Sequence, residues 1–151
     1  MADGEYPLPG GASPLALAGD LLSPGAHACN LQCGIDLVEI ERIVAAIDRF
    51  GVRFLDRIWT ERELAYCRGR APELAARFAG KEATSKALGT GITGLVWRDV
   101  EILPDERGKP LIFLHGGAKE RAAQIGLSHW AISLTHSRHM ACAMVVACAE
   151  R

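Results

Sequence analysis

Two carboxylates stand in apolar settings, on segments of different type. In Gly34-Ile-Asp-Leu-Val-Glu-Ile40, a short β-rich run, alternation puts Asp36 on one side with Val38 and Ile40, and Ile35, Leu37 and Glu39 on the other. From Pro72 to the stop at Gly89-Thr-Gly91 the pattern is helical, with Leu74, Ala75, Phe78 and Ala79 as its apolar stripe. Glu82 lies one turn after Phe78 at the margin of that stripe, and Lys86 one turn after Glu82. Burying an unpaired charge is expensive, so each carboxylate needs a partner. Ordinary pairing with Arg or Lys is one answer. The other is a divalent cation: oxygen ligands without His or Cys beside them suit Mg²⁺, which takes one or two protein carboxylates, several waters and the phosphate oxygens of a substrate. The pattern leaves both open.

Other polar groups are less specific. His129, His136 and His139 match no zinc-finger or H-E-x-x-H spacing and have no acid among them, so they read as part of a polar turn. The hydroxyls and imidazole of Ser133, Thr135, His136 and Ser137 offer a phosphate hydrogen-bond partners. Gly89-Thr-Gly-Ile-Thr-Gly94 lacks the Lys-Ser/Thr ending of a P-loop and follows a helix, which makes it a helix stop. Arg42 and Arg49 run down the polar side of a helix whose apolar side is Ile40, Ile43, Val44 and Ile47; Arg53 and Arg57 follow the break at Gly51. Such a face is either simply solvated or a dock for an acidic partner.

These residues need one modest domain to position them. The chain has 151 residues, 49% hydrophobic and 23% charged, which excludes collagen-like and wholly disordered classes. Its net charge of -1 hides a division: residues 1–41 carry six acids and no Lys or Arg, and residues 42–151 carry 12 acids and all 17 bases, an excess of +5. That excess is small and the turns carry no interleaved aromatics, which argues against nucleic acid. Residues 1–33 hold four prolines and five glycines, no Lys or Arg, and no apolar run approaching the ~20 residues of a membrane span. We expect a flexible extension there and a cytoplasmic domain over 34–151. The five cysteines include no C-x-x-C pair and read as free thiols, with Cys142 and Cys148 expected in the core. A capping box at Thr60-Glu-Arg-Glu63 starts a helix through about Arg68. Val100–Leu103 and Leu111–Leu114 flank a hairpin-like loop, Ala118–Ile125 reads as a helix, and Trp130–Thr135 and Met140–Ala149 read as strands. The whole is an α+β domain.

Several blocks, in order, resemble the holo-acyl-carrier-protein synthase family of 4′-phosphopantetheinyl transferases: Gly34-Ile-Asp-Leu-Val-Glu-Ile-Glu-Arg42, Phe54-Leu-Asp-Arg-Ile-Trp-Thr-Glu-Arg-Glu-Leu-Ala-Tyr-Cys67, Arg77-Phe-Ala-Gly-Lys-Glu-Ala-Thr-Ser-Lys-Ala-Leu-Gly-Thr-Gly91, Trp97-Arg-Asp-Val-Glu-Ile-Leu103, Gly108-Lys-Pro110 and Trp130-Ala-Ile-Ser-Leu-Thr-His-Ser137. The resemblance covers the body from about residue 33 onward. It implies a small antiparallel sheet packed with a long helix and shorter helices, assembled as a homotrimer with sites between subunits. It implies transfer of phosphopantetheine from coenzyme A to a serine of an apo acyl carrier protein, releasing adenosine 3′,5′-bisphosphate. By motif, Asp36 and Glu82 would bind Mg²⁺ and Lys86 would face the departing phosphate. Arg77, Lys86, Gly89, Lys109, Pro110, Ser133, Thr135, His136 and Ser137 would hold coenzyme A, and Arg42, Arg49, Arg53 and Arg57 would receive the carrier. A non-catalytic module that binds coenzyme A or a carrier protein is the alternative. Thr135 stands where the family often has Ser, and residues 1–33 are not part of its usual compact form.

Overall fold

The computed structural model describes residues 30–91 and 94–150; the expectation for residues 1–29 lies outside them. Strand β1 (Leu31–Glu39) pairs antiparallel with β5 (Met140–Cys148), and β5 pairs antiparallel with β4 (His129–His136), giving a three-stranded sheet in the order β1-β5-β4. A separate ribbon joins β2 (Val100–Pro104) to β3 (Pro110–Leu114). Between β1 and β2 run α1 (Ile40–Phe50), α2 (Val52–Ile58), α3 (Glu61–Cys67), the 17-residue α4 (Ala71–Ala87) and a 3₁₀ turn, Trp97–Asp99; α5 (Gly116–Gln124) joins β3 to β4. β1 thus starts three residues ahead of the expected run.

Helix α4 lies across the inner face of the larger sheet and against β2. Small residues permit this. On β5 the inward side is Ala141, Ala143, Val145 and Ala147, and α4 answers with Ala75, Ala76, Ala79, Ala83 and Ala87, all buried. Two glycines mark the closest approaches. A Cβ on Gly34 of β1 would lie 1.9 Å from the Ala83 carbonyl oxygen, and one on Gly80 would lie 2.5 Å from Ile102 Cδ1. The helix is therefore buried nearly all round, unlike the one-striped helices at the surface.

The shorter helices follow their local signals. Thr60 caps α3: its Oγ1 accepts from Glu63 N at 3.2 Å while Glu63 Oε2 accepts from Thr60 N at 2.8 Å. On α1, Ile40 and Ile43 are buried and Ile47 packs against the core. Val44, expected in that stripe, is 38% exposed, because α1 meets its neighbours along the Ile43–Ile47 edge. The cysteine expectation also needs correcting. Strand alternation turns Cys142 and Cys148 to the outer sheet face, and the buried thiol is Cys67, where burial pushes its pKa up to about 11. That outer face is apolar: Ile35 (62% exposed), Leu37 (60%) and Met144 (51%) lie side by side on β1 and β5.

Candidate active site

The strand and the long helix bring the two carboxylates together. Asp36 projects from β1 on the side shared with Gly34 and Val38, and Glu82 and Lys86 come from the last two turns of α4. Lys86 Nζ donates to Asp36 Oδ1 at 2.9 Å and to the Ile35 carbonyl at 2.8 Å. Among the described residues, Glu82 makes no ion pair. Its pKa is raised, first by burial and then by the charge of Asp36, against the opposing pull of Lys86 and Arg42. The site is thus short of positive charge at one carboxylate.

These groups border a cleft of about 440 Å³ lined by Asp36, Leu37, Val38, Arg42, Ile43, Ala46, Phe54, Phe78 and Glu82. Polar chemistry sits at one side and an apolar floor at the other. Aromatic packing fixes that floor: Phe54 meets Trp59 edge-on at 5.5 Å, Trp59 meets Phe78 at 6.5 Å, and Phe78 stacks on Trp97 at 4.7 Å. Beside the cleft Phe50, Arg53, Phe54, Asp56 and Arg57 line a second groove, so Arg42, Arg53 and Arg57 share one flank of the molecule; Arg49 lies over the Phe50 ring at 4.9 Å.

The remaining expected site residues stand apart from this group in one chain. Ser133 and Thr135 are exposed on the outer face of β4, with β5 between them and β1, so they lie across the sheet from Asp36. His136 ends β4, and Ser137 turns into β5, its Oγ accepting from Met140 N at 3.2 Å. Lys109 and Pro110 occupy the tip of the β2–β3 ribbon. Gly89 follows α4 with φ +69°, a left-handed backbone that favours glycine, near Arg121, whose Nε donates to the Leu88 carbonyl at 3.1 Å. Arg77 is buried: its Nε donates to the Ile102 carbonyl at 3.1 Å, its Nη1 to Glu73 Oε2 at 3.0 Å, and it lies over the Tyr66 ring. That geometry holds α4 to β2.

Sequence reasoning passed over a buried ion pair, Lys81 Nζ to Glu63 Oε2 at 2.8 Å. Burial lowers the Lys81 pKa, partly offset by the Glu63 charge. A charged residue four positions after Arg77, amid buried alanines, was its only signal.

Among the described residues no three His, Cys, Asp or Glu side chains cluster as a metal site. A hard cation that keeps its waters needs fewer. Asp36 uses one oxygen on Lys86, and the Glu82 carboxylate is disfavoured first by burial and then by its neighbour's charge, so the pair has the donor chemistry and the electrostatic deficit that Mg²⁺ fits.

A small antiparallel sheet is crossed by one long helix, which carries Glu82 and Lys86 to Asp36. Residues 32–144 match the model of the 4′-phosphopantetheinyl transferase superfamily, and the chain belongs to it. It is a transferase. Within that class it is similar to the holo-[acyl-carrier-protein] synthase of Herpetosiphon aurantiacus, 49% identical over 123 residues that cover 77% of this chain and 97% of the relative. Among solved structures it resembles Helicobacter pylori holo-[acyl-carrier-protein] synthase in complex with coenzyme A, with 35% identity, a TM-score of 0.70, and 76% of this chain and 98% of that one covered. The Bacillus anthracis synthase in complex with coenzyme A (3′,5′-ADP) is also similar, with 34% identity, a TM-score of 0.65 and coverage of 79% and 96%. No helix of the described residues is long and apolar enough to cross a membrane.

Proposed function

We propose that this chain moves 4′-phosphopantetheine from coenzyme A to a serine hydroxyl of an apo acyl carrier protein in the cytoplasm, with adenosine 3′,5′-bisphosphate as the second product. The observation that carries the reading is the Asp36–Lys86–Glu82 group on the rim of a cleft flanked by arginines. The serine hydroxyl gives its proton to Glu82 or to a water beside it, and its oxygen attacks the phosphorus nearer the pantetheine. The bond from that phosphorus to the bridging oxygen breaks, so that adenosine 3′,5′-bisphosphate leaves with that oxygen. Asp36 and Glu82 would hold Mg²⁺, which when bound supplies charge neutralisation and alignment at the pyrophosphate. Lys86, tethered to the Ile35 carbonyl, would stabilise charge on the departing phosphate. Arg42, Arg49, Arg53 and Arg57 meet the acidic surface of the carrier and speed its capture.

Coenzyme A would be held by Lys86, Gly89, Lys109, Pro110, Ser133, Thr135, His136 and Ser137, with Arg77 joining them on the strength of the family resemblance. Ser133 and Thr135 point away from Asp36 across the sheet, so a single chain does not offer both sets to one ligand. A homotrimer resolves this. A second copy against the apolar outer face of Ile35, Leu37 and Met144 would bury exposed hydrophobic area and bring one subunit's β4 to its neighbour's β1. The test is mass spectrometry of an apo carrier incubated with this protein, coenzyme A and Mg²⁺, with and without EDTA. The expected result is a gain of one phosphopantetheine that EDTA abolishes. A carrier left unmodified by folded protein would overturn the reading, and would favour a binding module.

A further inference from the structure

Helix α4 carries a second ammonium that the cleft does not use. Lys81 precedes Glu82, its side chain 1% exposed, and its Nζ donates to Glu63 Oε2 at 2.8 Å, to the Trp97 carbonyl at 3.1 Å and to the Val100 carbonyl. Glu63 is fully buried on α3, and its Oε1 accepts from Ile102 N of β2 at 3.0 Å. Its Oε2 also accepts from Thr60 N at 2.8 Å. Thr60 in turn donates its hydroxyl to Glu101 Oε1 at 2.7 Å, and Glu101 Oε2 meets Arg62 at 3.0 Å and His115 at 3.3 Å. One knot of directed bonds therefore joins α3, α4, the 3₁₀ turn and β2.

Cohesion does not require this knot. Two buried charges give up their hydration, and a pair of apolar residues of similar volume often holds a core equally well. Apolar contact, however, has little angular preference. Hydrogen bonds from Lys81 to two carbonyls and a carboxylate fix how α4 is rotated. Neighbouring residues on a helix are turned by about 100° from each other. With Lys81 fixed toward β2, Glu82 is fixed toward β1 and Asp36, and Lys86, one turn on, reaches the Ile35 carbonyl. We infer that Glu63 and Lys81 are positioning residues for the transfer reaction: their pair sets the rotation of α4 and so the approach of Glu82 and Lys86 to Asp36. The inference rests on the metal and phosphate roles proposed above for those three side chains.

The test is the double variant Glu63→Gln/Lys81→Met, which removes both charges together and keeps one accepting oxygen on α3, alongside Lys81→Arg, which keeps both charges but replaces the compact ammonium with a planar fork. Thermal melting, kcat and KM for the carrier, and Mn²⁺ binding followed by electron paramagnetic resonance are measured on each. The double variant should melt up to about 10 °C below the parent, because backbone groups that the pair served lose partners, and should lose about 100-fold in kcat when assayed well below that melt. Its KM for the carrier should stay unchanged, and Mn²⁺ should bind about tenfold more weakly. Lys81→Arg should show the same pattern more mildly, and it decides the matter if the double variant does not fold. A folded variant with the parent's kcat and Mn²⁺ affinity would refute the positioning role. If the parent itself binds no Mn²⁺ while the variants still lose kcat, the metal reading falls and the positioning role stands.

Discussion

Gly34→Ala separates site geometry from stability at a single atom. Gly34 is where β1 lies closest to α4, and its added Cβ would sit 1.9 Å from the Ala83 carbonyl oxygen, where real Cβ atoms essentially never come within 3.0 Å. Strand and helix must therefore part by about 1 Å at this point, since both partners are backbone and neither has a side chain to swing away. The parting falls between the two halves of the site: Asp36 is two residues along β1, and Glu82 and Lys86 stand on either side of Ala83. The Lys86 bonds to Asp36 and to the Ile35 carbonyl, 2.9 and 2.8 Å, must lengthen or break. Overpacking of this kind costs about 1–3 kcal/mol, which for a domain of this size lowers Tm by roughly 4–12 °C. A misplacement of about 1 Å costs catalysis on the order of 100-fold. The assay is conversion of apo to holo carrier well below either melting temperature. The control is Gly69→Ala, where φ is +73° and nothing lies within 4 Å of the new Cβ; it should cost about 1–2 kcal/mol through backbone strain alone and keep kcat within about twofold of the parent. Equal losses of activity in the two variants would mean that turnover follows stability, and the spacing argument would be wrong.

Three further outcomes follow from other parts of the molecule. Arg53→Glu/Arg57→Glu should raise KM for the carrier about tenfold at low ionic strength, with kcat held, and the effect should shrink as salt rises; a KM independent of both charge and salt would remove these residues from the docking face. Met144→Glu, on the exposed outer face of β5, should leave the subunit folded but shift sedimentation to monomers and abolish turnover; an active monomer would dispose of the shared site. Burial pushes the Glu101 pKa up, but hydrogen bonds from Thr60 and His115 and the Arg62 charge more than compensate and hold it below the ordinary value. The stability it contributes is therefore complete above about pH 4.3, the unfolded value, and disappears as pH falls through the lower folded value. Urea midpoints of the parent should fall across that window and those of Glu101→Gln should fall less; identical pH profiles would contradict the assignment.

Local pattern revealed residues whose signal lies in their own sequence neighbours. Asp36 alternated with apolar neighbours, Thr60 and Glu63 announced a helix start, and Asp105-Glu-Arg-Gly-Lys-Pro110 announced the turn between β2 and β3. Cys142 and Cys148 misled because β5 reads as one apolar run: both faces of that strand are apolar, and composition alone does not say which one meets α4. Lys81 was hidden for a different reason. A lysine at the edge of an alanine-rich helix ordinarily snorkels to solvent, and only the tertiary approach of α3 and β2 supplies the carboxylate and carbonyls that keep it inside. Glu63 misled in the opposite sense, because its capping bond was legible and its Lys81 and Ile102 bonds were not. Long-range partners of buried charges leave little trace in local pattern.

Strand β1 shows how closely two tasks can be interleaved in such a fold. Gly34, Asp36 and Val38 face α4, while Ile35 and Leu37 face outward, where a neighbouring subunit is proposed to bind. Side chains alternate with a period of two, so a slip of one residue against β5 would exchange the sets. It would drive Ile35 into the contact that only Gly34 fits, and would turn Asp36 out into an apolar interface. Either result is costly: the first because Ala83 leaves no room for a Cβ, the second because the carboxylate would lose Lys86. The register that forms the candidate site is thus the register that exposes the apolar face. Selection for one enforces the other without any additional device.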